Sequence, residues 1–273
     1  MPSPSHSDVT LIVRECGERT ADACVGLLEE MFPRQIVFRV SGQPFAATLE
    51  KSLLQGLAEA RPWTLCIDAD VLVLPSLIDF IDEAKRLPDH YVEAQALVAD
   101  KLLPARRPAG NHLYRTALIP KALSCLPKGA SLRPESSMMD YLGQAGHPYH
   151  QSGILVGLHD FAQFPADIYS KAALHGHKHA YLEELLLPLW QEWAQEDPDY
   201  RIAYDAFVAS RQSPHPQPSP EIHHTTFPLQ PGRPFQNLGA CQQSTFSQCC
   251  VVPPTSARKL LHCVIALRTT LLD

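Results

Sequence analysis

In the first 75 residues, three short apolar runs alternate with two segments of helical periodicity, a pattern that strongly restricts what the chain can fold into. Residues 9–13 (VTLIV) are apolar and β-rich, and after a polar loop Cys24, Leu27, Leu28, Met31 and Phe32 recur at helical spacing behind a Thr20 N-cap. Residues 36–40 form a second strand-like run. Phe45, Leu49, Leu53 and Leu57 then recur every four residues up to Arg61-Pro62, where the proline disfavours helix in the residue before it. Residues 63–67 (WTLCI) supply the third strand. Such a βαβαβ order predicts a parallel sheet with helices on its faces, and such sheets bind ligands at the carboxyl ends of their strands. The polar residues after strands one and three are therefore the first place to look for chemistry.

The 273 residues, 45% of them apolar, are enough for a core that needs no covalent staples. A formal net charge of −6 without long Lys/Arg runs gives no electrostatic footprint for nucleic acid. The first eight residues carry neither a basic nor an apolar leader region, and no segment approaches a membrane span, so a soluble, cytoplasmic protein is expected. The eight cysteines include no C-x-x-C pair. Cys16, Cys24 and Cys66 fall within periodic apolar segments and read as buried free thiols, not zinc ligands or disulfides.

Further along, residues 75–86 read as a helix, 91–98 as a strand with Tyr91, Glu93 and Gln95 alternating against apolar residues, and 111–115 as a short strand. Residues 120–126 and 137–146 look helical, 153–158 is a short apolar segment ending at His159-Asp160, and 180–196 is a helix packing across the outside of the domain. Composition changes after Ser210: residues 211–256 hold nine prolines and three charged side chains. The expected division is a short N-terminal tail (1–8), one α/β domain (9–205) and an irregular Pro-rich tail (206–273) with at most one closing helix over 260–272.

Asp68-Ala69-Asp70 stands where the third apolar run ends. Two carboxylates at i and i+2 on a strand terminus can turn toward a divalent cation, and hard oxygen ligands suit Mg2+ or Mn2+ bridging to phosphate. A solvated acidic turn is the alternative reading. With the element order before it, this D-x-D resembles the nucleotide-binding half of GT-A fold glycosyltransferases, most closely family 2. The loop Arg14-Glu15-Cys16-Gly17-Glu18-Arg19-Thr20 stands where that family's first strand meets the nucleotide, and residues 108–118 (PAGNHLYRTAL) are similar to its later glycine, aromatic, arginine segment. The position after the second strand departs from the pattern, reading Val40-Ser41-Gly42-Gln43 where the family carries a base-binding Asp.

The resemblance implies a GT-A type, mostly parallel sheet flanked by helices and a metal-dependent, inverting transfer of a sugar from a nucleotide-diphosphate donor to a glycan or small-molecule acceptor. By position it makes Glu135 the expected base for the acceptor hydroxyl, with Asp140 second. It places Asp68, Asp70 and His159 on Mn2+ or Mg2+, and Arg14 and Arg19 near the nucleotide. Lys101, Arg106 and Arg107 are the cations available to the diphosphate or to an anionic acceptor, or form an exposed basic loop. Asp160 could orient the His159 ring. His147 and His150, and His175, His177 and His179 in a predicted loop, read as solvated; Trp190 and Trp193 read as helix packing. A haloacid-dehalogenase-type phosphatase would need its D-x-D on the first strand, and a nucleotidyltransferase would need a Gly-rich loop after it. A catalytically inactive GT-A domain acting as a nucleotide-sugar-binding or scaffold subunit is the reading from another class.

Overall fold

A computed structural model describes residues 6–128, 131 and 133–212. The strand, helix order at the front is as the periodicity predicts: β1 (Val9–Glu15), α1 (Ala21–Met31), β2 (Val37–Ser41), α2 (Phe45–Glu59) and β3 (Trp63–Asp68). There follow β4 (Val71–Val73), α3 (Leu77–Ala84), β5 (Glu93–Asp100), β6 (Arg106–Pro108), β7 (Asn111–Arg115), α4 (Ile119–Ser124), α5 (Pro134–Gln144) and β8 (Tyr149–His159). Three helices close the described chain: α6 (Pro165–Lys178), α7 (Glu183–Trp193) and α8 (Pro198–Gln212). The strands form one α/β sheet of order β2-β1-β3-β7-β5-β8-β4, with β6 paired to β5. β2, β1 and β3 are parallel, whereas β7 runs antiparallel to both β3 and β5, and β4 antiparallel to β8.

The described residues divide into two compact units, one within 6–98 and 107–159 and one within 99–106 and 160–212. In the first, the period-two alternation of the strands builds two cores. Leu11 and Val13 of β1 with Leu65 and Ile67 of β3 pack under Cys24, Leu28, Phe80 and Ile81 of α1 and α3. Ile12 and Cys66, on the other face, pack under Leu49 and Leu53 of α2 and Met138, Met139 and Leu142 of α5. Each such fully buried side chain contributes about 1.5–3 kcal/mol relative to exposure.

The second unit has its own core, in which Leu102 and Leu103 pack with Ile168, Leu186, Trp190, Trp193, Tyr200 and Phe207. α7 contributes Leu186, Trp190 and Trp193 to this core, which gives the two tryptophans the packing role expected of them. α8 runs past residue 205 to Gln212 with Phe207 buried. The Pro-rich segment from 213 on and the closing helix expected there lie outside the described residues. His175 and His177 lie on α6, not in a loop. The helix tolerates Gly176 because a side chain there would collide with Ser210, at 1.9 Å from its Oγ, so the glycine is what lets α6 and α8 approach.

Candidate functional site

Strand register decides which polar side chains meet at the carboxyl end of the parallel strands. Arg14 stands beside Asp68 across β1 and β3, Cys66 beside His112 and Thr64 beside Tyr114 across β3 and β7, and Glu93 beside Tyr114 across β5 and β7. Paired residues share a face, successive residues reverse it and alternate residues return to it. Arg14, Asp68, His112, Tyr114 and Glu93 therefore gather on the face covered by α2 and α5, where α5 delivers Glu135 from its first turn.

There they form a buried ionic network. Arg14, only 2% exposed, donates from Nε to Asp68 Oδ1 at 2.7 Å and from Nη1 to Glu135 Oε1 at 2.8 Å. Its guanidinium carbon lies 5.3 Å from the centre of the Phe45 ring. Glu135 also accepts the Tyr114 hydroxyl, and its Oε2 is 3.0 Å from His112 Nε2. The other ring nitrogen of His112 lies 2.5 Å from Glu93 Oε1, to which Gln95 Nε2 donates at 2.8 Å.

These neighbours decide the charge states. Burial alone would lower the His112 imidazole, but Glu135 and Glu93 outweigh it and hold the ring above its usual value where it stands between the two carboxyl groups. Burial would raise the Glu135 carboxyl, yet Arg14 and then His112 hold it below the ordinary carboxylate range. Glu93 moves the other way, raised by burial against the pull of His112. In the unliganded protein the Glu135 carboxylate, expected from its position as the acceptor base, is thus ion-paired to Arg14 and hydrogen-bonded by Tyr114.

The turn through Asp68-Ala69-Asp70 is fixed by its backbone. Asp68 N donates to Gly110 O at 2.8 Å, Ala69 N to Arg14 O at 2.9 Å, and the Thr20 hydroxyl to Ala69 O at 2.7 Å. Thr20 thus serves the acidic turn; it makes no side-chain cap on α1. Gly110 has φ +60°, and a Cβ there would lie 2.6 Å from Val71 Cγ2, so only glycine fits against the turn. Asp68 and Asp70 part company beyond it. Asp68 turns to Arg14, whereas Asp70 Oδ1 lies 3.6 Å from His159 Nε2, each residue 8% exposed. The β4–β8 pairing, with Val71 opposite His159, brings these two together from 89 residues apart. At 3.6 Å the contact is too long for a hydrogen bond, and a carboxylate oxygen and an imidazole nitrogen converging in this way are a mixed O/N donor pair that a divalent ion such as Mn2+ accepts more readily than Mg2+. Asp160, next in the chain, has φ +64° and a carboxylate paired with Lys171 within the second unit.

The remaining expected residues fall as follows. Arg19 is exposed on the loop after β1, and Asp140 is exposed on α5. Arg106 and Arg107 are half-buried on β6. Lys101 belongs to no exposed basic loop. It is fully buried and its Nζ meets Asp197 at 3.0 Å and also Asp199, so its charge is neutralised inside the second unit. Cys24 and Cys66 are buried free thiols, with burial pushing Cys66 up to about 12, but Cys16 is exposed where burial was expected. The strand ends there and the chain turns outward. His147 pairs with Lys121 at 2.6 Å and His150 with Glu83 at 2.9 Å.

Sequence reading missed Glu93, which it used only as part of the alternation that marks a strand although the residue is 1% exposed, and it gave His112 and Tyr114 no role. Their shared signal was a polar phase on each of two adjacent strands, which becomes informative only when both phases face one helix.

Neither a protein-family model nor a curated protein matches the sequence. Among solved structures, the chain is similar to the mannosyltransferase PcManGT of Pyrobaculum calidifontis in complex with GDP-Man and Mn2+, at 12% identity, a TM-score of 0.42 and coverage of 74% of this chain and 73% of that one. It is similar to the glucosyl-3-phosphoglycerate synthase of Mycobacterium tuberculosis in complex with Mn2+, UDP and glucosyl-3-phosphoglycerate, at 14% identity and a TM-score of 0.41, over 61% of this chain and 75% of that chain. A glycosyltransferase involved in glycosylation of the major capsid of PBCV-1 is matched at 13% identity and a TM-score of 0.40, over 58% of this chain and 95% of that chain. Among the described residues no helix is long and apolar enough to cross a membrane.

Proposed function

We propose that the chain is a metal-dependent glycosyltransferase of GT-A type that takes its sugar from a nucleotide-diphosphate donor. The observation that carries this reading is the convergence of Asp70 and His159 beside the carboxyl end of β3, on a turn whose other carboxylate is oriented by a buried arginine. Asp70 and His159 would hold Mn2+ or Mg2+, with Asp68 contributing from the oxygen that Arg14 leaves free. Such an ion neutralises charge on a leaving diphosphate. The protein's own part is to hold two carboxylates of one short turn at separate tasks and to keep that turn rigid through Gly110, Arg14 and Thr20. Half-buried Arg106 and Arg107 and exposed Arg19 are the cations available to phosphate oxygens; Lys101, already neutralised by two carboxylates, is left out of the donor-binding set. Asp140, exposed on α5, remains the carboxylate offered to the acceptor, with inversion at the anomeric carbon as the family resemblance implies.

Calorimetric titration with UDP and GDP, each with and without Mn2+, tests the reading. Metal-dependent binding of one nucleotide, lost in Asp70→Ala, is the expected result and names the donor class. Absence of binding to both in the wild-type protein would turn the reading to an inactive scaffold domain.

A further inference from the structure

We propose that Glu135 is a positioning residue which, gripped by His112 and Tyr114, clamps Arg14 against Asp68 and so fixes the acidic turn for its ligand. This deepens the glycosyltransferase reading and rests on it for the identity of the ligand, but the clamp itself is a property of the unliganded protein.

Three observations carry it. First, the contacts form one continuous path: Glu93 to His112, His112 and Tyr114 to Glu135, Glu135 to Arg14, and Arg14 to Asp68. Arg14 is the member of that path that bonds to the acidic turn, through Nε to Asp68 and through its carbonyl to Ala69 N. Second, the network interrupts a face that is otherwise built from Ile12, Leu49, Leu53, Cys66, Met138 and Leu142. Apolar residues of similar volume would serve stability as well there, because desolvating ions costs about as much as their pairing returns. An ionic path in that position is explained by what it orients at its end. Third, Arg14 is committed on both sides. Its Nε and Nη1 are taken by two carboxylates and its plane lies by Phe45, while Nη2 is buried without a partner among the described residues. The guanidinium thus has one defined orientation, with the Nη2 nitrogen uncommitted, and Glu135 is one of the two carboxylates that set it.

A base and a clamp make opposite predictions for Glu135→Gln, which keeps the side chain's shape and removes its charge. A base would be needed only for transfer, and donor binding would survive its loss. Loss of a clamp weakens donor binding before any acceptor is present. Side-chain 15N NMR of arginine-labelled protein reads the clamp directly, since the paired Arg14 Nε–H is shielded from solvent exchange. The expected result is a protected Arg14 resonance in the wild type, exchange at least about tenfold faster in Glu135→Gln, and a dissociation constant for the Mn2+–nucleotide complex raised about tenfold by loss of a charge-assisted bond. Tyr114→Phe, which deletes one hydroxyl, shifts both readouts in the same direction by about threefold and serves should the Gln variant not fold. Unchanged Arg14 exchange in both variants overturns the clamp, and so does faster exchange with unaltered nucleotide affinity. A wild-type protein that binds neither nucleotide with Mn2+ removes the transferase reading alone; the Arg14 exchange then decides the clamp by itself, in support when protection depends on Glu135 and against it when it does not.

Discussion

Arg14 and Lys101 are both fully buried cations, each held by two carboxylates, yet the two regions they organise differ in kind. Lys101 meets Asp197 and Asp199, two residues apart at the start of α8, and ties its own segment to the core of the second unit. Arg14 meets Asp68 and Glu135, from sequence positions 54 and 121 residues away, and both partners have further polar attachments in the acidic turn and the His112 path. The difference teaches that burial of a charge does not by itself mark a functional site. Lys101 also reaches across the sequence, 98 residues to Asp199, but its two partners sit together at one helix start, whereas the Arg14 network leads from a helix and two strands to the turn that carries Asp70.

The comparison is broken most sharply by removing each cation. Arg14→Met strands Asp68 and Glu135, and an unfolding free energy lower by about 3–5 kcal/mol is expected from denaturant titration. Lys101→Met strands Asp197 and Asp199, which are buried to much the same degree, and a comparable loss of about 3–5 kcal/mol is expected, with nucleotide binding retained. Nucleotide binding lost with Lys101→Met and kept in Arg14→Met would reverse the assignment of the two regions. A second pair probes close approach. Gly110→Ala meets Val71 at 2.6 Å under an unfavourable φ of +60° and should cost about 1–3 kcal/mol together with Mn2+ affinity. Gly176→Ala, crowded by Ser210, should cost a similar amount of stability and no metal affinity. Thermal melts combined with Mn2+ titration by EPR separate the two.

The titration of His112 offers a subtler test. Its folded value is raised, so the stability it contributes is complete below its ordinary value near about 6.5 and is lost as pH rises through the folded value. Glu93, also raised, adds to the loss in the same direction, whereas Glu135, lowered, contributes above its ordinary value and is lost only as pH falls through its lower folded one. Melting temperature should therefore fall as pH rises above neutrality, and His112→Gln, which still faces Glu93, Glu135, Gln95, Arg14 and Tyr114, should flatten that decline. A decline of the same steepness in the variant would locate the pH dependence elsewhere. The smallest effect is that of Thr20→Val, which removes the bond to Ala69 O, with about 1 kcal/mol lost from stability and a measurable weakening of Mn2+ binding.

The front of the fold was legible because each of its elements announces itself locally. The runs at 9–13, 36–40 and 63–67 and the four-residue spacing from Phe45 to Leu57 became β1, β2, β3 and α2 with boundaries moved by only a residue or two. β4 was hidden because three residues directly after Asp68-Ala69-Asp70 have no period to read, and α6 and α8 because their apolar content is low and one carries histidines and a glycine that mimic a loop. Of the candidate residues, sequence reading brought Asp68, Asp70, His159, Arg14 and Glu135 onto the page, but it assigned Arg14 and Glu135 separate tasks. Nothing local could have joined them, since the contact depends on the β1–β3 register and on α5 crossing that face.

Period and composition alone determined an α/β sheet with an acidic pair after its third strand, because backbone geometry ties side-chain direction to sequence spacing of two and of 3.6 residues. Tertiary structure decided that the antiparallel β7 and β8 deliver His112 and His159, that Glu93 faces inward, and which of two buried arginine and lysine charges reaches the acidic turn. Those outcomes depend on register between strands far apart in the chain, where a shift of one residue exchanges the two faces and no local signal records which face was chosen.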